Sequence, residues 1–174
     1  TGNLSLELLE AQKYGMELVQ HRAGYNSVIC ARARQDSEQT GWTHIPFGME
    51  CKEAVEQTRK QVANLRGLKF NRIVIPVGSA MSLCGLLWGL RDYGIRTTVL
   101  GVRVGADPEK VLRRFAPSSI PELTLTVSEL QYHKSPENCN LETILVDPQY
   151  EAKCIPYLRP GDLFWVVGIR STAK

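Results

Sequence analysis

The sequence has little of what marks membrane, secreted or nucleic-acid-binding proteins. No apolar run approaches the roughly 20 residues of a membrane span, so we expect no membrane partner. The five cysteines are an odd number and contain no Cys-x-x-Cys pair, which predicts reduced thiols and a cytoplasmic location. Basic residues outnumber acidic ones only by 21 to 18 and are scattered among them, so nucleic acid is not an expected partner.

The sequence also lacks the spacing of a metal site and the sharper phosphate and nucleophile motifs. Its histidines, His21, His44 and His133, share no metal-ligand spacing and join no carboxylate cluster, so we predict no metal site. The chain's Gly-Ser turn has no following Gly-Lys-Ser/Thr, no Gly-x-Gly-x-x-Gly pattern and no Gly-x-Ser-x-Gly pattern. These absences disfavour an unrelated nucleotide binder or α/β hydrolase.

What is present is an alternation of strand-like and helical segments. Strand-like patterns cover 16–21, 42–47, 72–77, 97–104, 123–127, the start of 141–158, and 162–169. Helical patterns cover a short segment ended by Gly15, then 25–39, 49–67 (the longest), the stretch from the Gly-Ser turn to about Tyr93 before Gly94, a segment opened by Asp107-Pro108 that runs through 109–115, and a segment beginning near Asp147-Pro148. With 43% hydrophobic residues the chain can build a core. Residues 1–174 are therefore predicted to form one α/β unit with a mostly parallel sheet and flanking helices.

The stretch VIPVGSAMSLCGLLWGL, residues 74–90, carries the first functional signal. A buried strand turns through Gly78-Ser79 into a helix, and ligands of parallel sheets bind at this end of the strands. Unpaired backbone N–H groups and the helix dipole favour an anion there, and Ser79 and Ser82 add hydroxyl groups. Two interpretations stay open from the turn alone, which are a phosphate site and a tight strand-to-helix connection without a ligand.

Read in order, the chain resembles the C-terminal half to two-thirds of a fold-type II pyridoxal-phosphate enzyme. The resembling branch holds 1-aminocyclopropane-1-carboxylate deaminase and D-cysteine desulfhydrase. The segments that carry the resemblance are TGNLSLELLEA, AGYNSVICARARQD, GWTHIPFGMECKEAVEQTRKQVANL, the strand-loop-helix stretch above, and VDPQYEAKC, which is similar to the deaminases' Asp-Pro-x-Tyr-x-x-Lys segment. The resemblance implies a partial tryptophan synthase β-like fold.

The same resemblance implies a cofactor site. The phosphate of pyridoxal phosphate would be held by the loop residues Gly78, Ser79, Ala80, Met81 and Ser82. The loop departs from the usual Gly-Ser-Gly-Gly-Thr or Gly-Ser-Thr forms at Ala80 and Met81, and the bulkier Met81 is expected to occupy cofactor or substrate space.

Two catalytic residues are implied in the VDPQYEAKC segment. Tyr150 matches the tyrosine placed over the substrate, a nucleophile or acid/base, and the alternative is a core tyrosine at a helix start. Glu151 matches the residue facing the pyridine nitrogen, and the alternative is an ordinary first-turn glutamate stabilised by the helix dipole. Lys153 also matches, and we interpret it as structural.

The lysine that forms the Schiff base in this family is not matched. It lies in the family's N-terminal part, in a Gly-Gly-Asn-Lys or Ser-x-Lys context, and no lysine here stands in such a context. A chain that begins Thr1-Gly2-Asn3 without methionine is expected to have been cut or processed. We therefore expect a fragment, or a chain completed by an N-terminal piece or partner chain in a homo- or hetero-oligomer, and the remaining alternative is a remnant with a different role. The chain alone is expected to show little or no turnover.

Three functions follow as hypotheses. The first is part of a pyridoxal-phosphate-dependent deaminase or lyase acting on a small amino acid. The second is a non-catalytic phosphate-binding α/β subunit that assembles with a partner chain. The third is a phage-type pyridoxal-phosphate enzyme acting on a modified DNA base, which the weak charge balance does not support.

Overall fold

The computed structural model describes residues 6–119, 122–137, 139–141 and 144–168. They fall into two compact units, of which the first ends at Phe47 and the second begins at Gly48. The organisation of residues 1–174 as a single α/β unit therefore stays a prediction.

The first unit contains two helices, α1 (Leu6–Lys13) and α2 (Asn26–Thr40). At 15 residues α2 is the longest helix of the described chain, and it ends at Gly41 in the left-handed conformation. The strands predicted over 16–21 and 42–47 do not form. A strand needs a hydrogen-bonded neighbour, and within the described residues of this unit no segment pairs with either one.

The second unit carries the sheet and the remaining helices. Its helices are α3 (Lys52–Gln61), α4 (Met81–Asp92) and α5 (Glu109–Phe115), with 3₁₀-helices at Val62–Leu65 and Glu151–Tyr157, and a further 3₁₀ turn at Phe47–Met49 crosses the boundary between the units. Its strands are β1 (Arg72–Val77), β2 (Thr98–Arg103), β3 (Leu123–Val127), β4 (Asn140–Leu141), β5 (Ile144–Leu145) and β6 (Leu163–Phe164). The strands β4 and β5 form a small antiparallel pair apart from the main sheet.

The main sheet has four parallel strands in the order β3-β2-β1-β6. All residues of β1 after Arg72 are buried, because helices cover both faces of a parallel sheet. Chain order runs outward from β1 through β2 to β3 and returns for β6, so the turn after β1 lies in the middle of the sheet's carboxyl edge. The predicted α/β fold with a mostly parallel sheet is confirmed.

Close packing of α4 against α3 fixes the direction of the helix that follows the turn. A Cβ atom on Gly85 would lie 2.5 Å from Cβ of Thr58, and one on Gly89 would lie 2.5 Å from Cβ of Val62. Glycine is therefore required at both positions for the two helices to approach this closely.

The predicted helix 49–67 is shorter than its pattern suggests. Met49 has a φ of 57° and Cys51 is extended, so α3 begins only at Lys52. At Val62 the chain tightens into 3₁₀ geometry, which is common at the end of an α-helix.

The C-terminal elements also differ from their prediction. The helix predicted to begin near Asp147-Pro148 is the 3₁₀-helix Glu151–Tyr157, which contains Pro156, a residue without a backbone donor for an α-helical ladder. The strand predicted over 162–169 is only β6, because the amides of Val167 and Gly168 bind a carboxylate instead of a strand. Residue 169 lies outside the described residues.

An ion pair joins the starts of β1 and β6. Arg72 donates two hydrogen bonds of 2.9 Å to the carboxylate of Asp162 and a third, of 2.7 Å, to the carbonyl of Tyr157. The arginine hydrogen bonds lower the pKa of Asp162. The pair ties the end of the 3₁₀-helix to the centre of the sheet.

We expect Gly89→Ala to destabilise the protein by about 1–3 kcal/mol, because the added methyl group overpacks the α3–α4 contact. Intrinsic helix propensity alone predicts a gain of about 1 kcal/mol, so the sign of the change is diagnostic. Equilibrium denaturation of the variant measures it, with Gly24→Ala as the control, since a Cβ on Gly24 comes no closer than 4.0 Å to Val28. An unchanged or raised stability of Gly89→Ala contradicts the packing described.

Candidate active site

The Gly-Ser turn connects β1 to α4 through a left-handed residue. Ala80 is the residue before α4 and has φ 64° and ψ 6°, a conformation that costs a residue with a side chain about 1 kcal/mol or more. The carbonyl of Ala80 accepts the hydrogen bond of Cys84, which begins the ladder of the helix. A strained residue held by its surroundings is typical of ligand-binding loops.

The turn presents a set of free amides. Among the described residues, none accepts a hydrogen bond from the backbone N–H of Ser79, Ala80, Met81 or Ser82. Successive N–H groups at the start of a 12-residue helix favour an anion, through direct hydrogen bonds and the helix dipole. The loop predicted for phosphate therefore has the donors that a phosphate needs.

The two serines of the loop differ. Ser79 donates its hydroxyl proton to the carbonyl of Gly48 at 2.9 Å, so this proton is already used. Gly48 has a φ of 68°, and a Cβ on it would lie 2.7 Å from Cβ of Ser79, so the position requires glycine. Ser82 is half-buried, and within the described ranges its hydroxyl has no protein partner. Of the two serines, Ser82 has the hydroxyl proton that is free for a ligand.

The side chain of Met81 does not reach the space that the sequence suggested. It is 3% exposed and packs in a core cluster with Val55 and Cys84. The expectation that Met81 occupies cofactor or substrate space is wrong, because the apolar surface between α3 and α4 buries it. Only its backbone N–H belongs to the loop.

Tyr150 lies against the loop. A Cβ atom on Gly78 would be 2.5 Å from Cε1 of Tyr150, so the ring packs on the bare backbone of the turn. The ring is placed by Asp147, whose Oδ1 accepts hydrogen bonds from the amides of Gln149 at 2.7 Å and Tyr150 at 3.0 Å. The fold thus brings together the phosphate loop and the tyrosine predicted from separate motifs.

Tyr132 completes a pair that the sequence does not reveal. The hydroxyls of Tyr132 and Tyr150 are 3.1 Å apart, and their rings meet edge to face with centroids 6.0 Å apart. Burial, and then the hydrogen bond with Tyr132, raise the pKa of Tyr150 above its ordinary value. Tyr150 therefore stays a neutral phenol near neutral pH and is a weaker acid than an exposed tyrosine. Tyr132 lies in the polar segment 128–140, whose composition gives no sign of this contact.

Glu151 is 1% exposed and is bound by backbone groups. Its Oε1 accepts hydrogen bonds of 2.9 Å from both Val167 and Gly168. Burial raises the pKa of this carboxyl group, and the amide hydrogen bonds oppose that shift. This arrangement anchors the segment after β6, and a role toward a pyridine nitrogen stays a prediction.

Lys153 is a second buried charge on the same 3₁₀-helix. It is 1% exposed, and its Nζ donates to the carbonyls of Gln131 at 2.9 Å and Tyr132 at 2.7 Å. Burial lowers the pKa of its ammonium group.

In the part of the chain that the structure describes, no group of three or more His, Cys, Asp or Glu side chains is placed to hold a metal ion. No helix there has the length and apolarity that a membrane crossing requires.

Comparison with known proteins supports the fold. No protein-family model and no curated protein matches the chain. Among solved structures, a crystal structure described as that of an ACC deaminase homologue aligns with a TM-score of 0.69 and 19% identity, over 91% of this chain and 60% of that chain. This chain has the fold of that deaminase homologue. It spans about 60% of the homologue's length.

Gly78→Ala tests the contact between the loop and Tyr150. We expect the variant to lose about 1–3 kcal/mol of stability, because its methyl group overlaps the ring. In the Tyr150→Leu background the same change should cost at least about 1 kcal/mol less, since contacting residues are energetically coupled. A double-mutant cycle by denaturant unfolding gives the coupling, with Gly168→Ala as the control, because a Cβ on Gly168 meets nothing within 4 Å. Additive changes contradict the contact.

Glu151→Gln tests whether Glu151 behaves as a buried carboxyl group or as an ordinary first-turn glutamate. Burial raises the pKa of Glu151 in the folded protein. The favourable contribution of this group to the free energy of unfolding is therefore complete below the unfolded pKa of about 4.3 and is lost as the pH rises through the folded pKa. Gln keeps the acceptor oxygen, so we expect the variant to equal or exceed the wild type in stability at pH 7. The two should converge toward pH 4.

Unfolding experiments across this pH range check the expectation. The matched control is Glu53→Gln, in the exposed first turn of α3, which should lose about 0.3–1 kcal/mol at neutral pH. If Glu151→Gln shows the same loss as Glu53→Gln, Glu151 is an ordinary first-turn residue.

Proposed function

We propose that the chain is part of a pyridoxal-phosphate-dependent deaminase or lyase that acts on a small amino acid or an amino-acid-like substrate. It supplies the loop that holds the cofactor phosphate, residues 78–82, and the tyrosine beside it. The observation that carries the proposal is the packing of Tyr150 directly on Gly78. It brings a proton-donating group to the edge of a free anion-binding loop, as the family resemblance requires.

The loop fits a phosphate dianion. Its free amides from Ser79 to Ser82 are donors, and the hydroxyl of Ser82 adds one more. Gly78 has no side chain that would stand between the ring of Tyr150 and the loop backbone. Ala80 adopts the left-handed backbone conformation that glycine adopts most readily, so the alanine at this position of the loop keeps a backbone path that a glycine can follow.

The chain's own groups define a proton-transfer role. When bound, pyridoxal phosphate supplies an electron sink that stabilises negative charge at the substrate carbon. Tyr150 carries its proton at the phenolic oxygen near neutral pH, as an ordinary phenol does, and burial and the hydrogen bond with Tyr132 raise its pKa further. The 3.1 Å hydroxyl contact with Tyr132 orients that oxygen and gives it a partner for the proton it exchanges. Glu151 is the proposed partner of the pyridine nitrogen.

The remaining part of the site belongs to a partner segment in this proposal. No lysine stands in the family's Schiff-base context, and the buried Lys153 already binds two carbonyls. We propose that an N-terminal piece or a partner chain contributes the covalent lysine and that the active form is an oligomer. The chain spans about 60% of the deaminase homologue, which supports an additional segment. A cytoplasmic location, suggested by five free cysteines, is part of the same proposal.

A second candidate is a non-catalytic phosphate-binding subunit that assembles with a partner chain. It is favoured by the first unit, in which no residue from 8 to 47 is buried. Ten large apolar side chains of this stretch are exposed, namely Leu8, Leu9, Tyr14, Met16, Val19, Tyr25, Val28, Trp42, Ile45 and Phe47. Such a surface is typical of a chain that is covered by a partner. The two candidates share the loop and differ in whether the tyrosine takes part in chemistry.

Ser82→Asp tests the phosphate site without weakening its helix. Aspartate at the second residue of α4 is favoured by the helix dipole, so the fold should be retained. The same carboxylate repels a phosphate, because like charges about 4 Å apart cost several kcal/mol at the effective dielectric of a protein surface. We expect the affinity for pyridoxal phosphate to fall about tenfold or more.

Amide NMR titrations of the chain provide the measurement. Pyridoxal phosphate and inorganic phosphate should shift the amide resonances of residues 79–82, and pyridoxal without its phosphate should not. The matched control is Ser27→Asp, the second residue of α2, which should leave the titration unchanged. If pyridoxal phosphate fails to shift these amides in the wild type, or if both variants bind it equally, the proposed cofactor site is wrong.

A further inference from the structure

We propose that Lys153 is a positioning residue that sets Tyr132 against Tyr150 and so controls the proton-donating group of the site. The part of this proposal that concerns the reaction rests on the proposed function. The part that concerns the two tyrosines rests on the geometry of the chain alone.

The first step is the geometry of the 3₁₀-helix. Lys153 follows Tyr150 by three residues, and its amide donates to the carbonyl of Tyr150 at 3.2 Å. Tyr150 stands directly before the 3₁₀-helix Glu151–Tyr157, so this hydrogen bond closes the turn that begins the helix. The two side chains reach the same short stretch of chain, Gln131–Tyr132, where Lys153 meets backbone carbonyls and Tyr150 meets a phenol.

The stretch of chain that holds Tyr132 is irregular. Residues 128–137 contain no helix or strand, so their backbone groups depend on other partners. The ammonium group of Lys153 binds two consecutive carbonyls, of which one also accepts the amide of Lys134 at 3.0 Å. A further link joins Nε2 of Gln149 to the hydroxyl of Ser135 at 3.1 Å. The same ammonium lies 5.5 Å from the ring centroid of Tyr132, so it fixes both the backbone and the ring.

The third step is the cost of the arrangement. The side chain of Lys153 is almost fully buried, and Nζ makes its direct hydrogen bonds to the two carbonyls. Burial lowers the pKa of the ammonium group, and the charge of Asp147 opposes this shift in part. An apolar residue of similar length fills such a space without the penalty of burying a charge. A buried ammonium with two carbonyl acceptors is therefore suited to holding the loop in one position, which an apolar side chain cannot do.

The test is solution NMR of the chain with isotope-labelled tyrosine rings. Wild type is compared with Lys153→Met and with the matched control Lys60→Met, whose lysine on α3 is 62% exposed. Tyr132→Phe and Tyr150→Phe identify the resonances. We expect a ring-to-ring NOE between Tyr132 and Tyr150 in the wild type and in Lys60→Met, and its loss in folded Lys153→Met.

The outcomes separate positioning from stability. A purely structural lysine would lower the thermal midpoint and leave the NOE intact in the folded protein, and that result overturns the proposal. If Lys153→Met does not fold, the wild type provides the decision: an NOE between the terminal methylene of Lys153 and the ring of Tyr132 supports the proposal, and its absence overturns it.

No cofactor enters this experiment, so it is independent of the proposed function. Titration of the same wild-type sample with pyridoxal phosphate reports on the phosphate loop by itself. If the NOE between the tyrosines depends on Lys153 but pyridoxal phosphate does not shift the amides of residues 79–82, Lys153 is a positioning residue and the proposed function is wrong. If pyridoxal phosphate shifts those amides but the NOE between the tyrosines persists in Lys153→Met, the proposed function is supported and the positioning role of Lys153 is wrong.

Discussion

The contact between the ring of Tyr150 and the backbone of Gly78 is the constraint on which the candidate site depends. It requires a residue without a side chain at the end of β1 and a ring delivered from a distant part of the chain. Two further features direct the two sides of this contact. The packing of α4 on α3 directs the loop, and the turn formed by Asp147 directs the ring. Because the ring lies directly on bare backbone, a small displacement of either the loop or the ring separates the two groups.

The elements around this contact were predictable from the sequence, and the links between them were not. The apolar run of β1 and the stop at Gly94 are local patterns, and the structure places both as expected. Tyr132, by contrast, lies in a polar loop, and its contact with Tyr150 depends on how the loop folds back. The segment 16–21 was predicted as a strand, but among the described residues no segment pairs with it, which a local pattern cannot reveal. The prediction for Met81 was wrong because its side chain is buried against Val55 of α3, a contact that the sequence around Met81 does not show.

Two opposite charges lie two residues apart on one 3₁₀-helix and are not paired with each other. Glu151 binds amides of the segment after β6, whereas Lys153 binds carbonyls of the loop before β4. Both bury their charged groups, so each depends on backbone partners for solvation. The short helix is therefore a cross-link between two irregular segments. A motif of seven residues, from Asp147 to Lys153, thus encodes the turn, the tyrosine and both anchors.

The order of strands in the sheet bears on how the protein is made. The central strand β1 pairs on one side with β2, which follows it closely in sequence, and on the other side with β6, which is synthesised long afterwards. A nascent chain on the ribosome therefore carries β1 with one unpaired edge until residues 163–164 emerge. During that interval the edge is a template for misassembly with other chains. Chaperone dependence during translation is the expected physiological consequence of this topology.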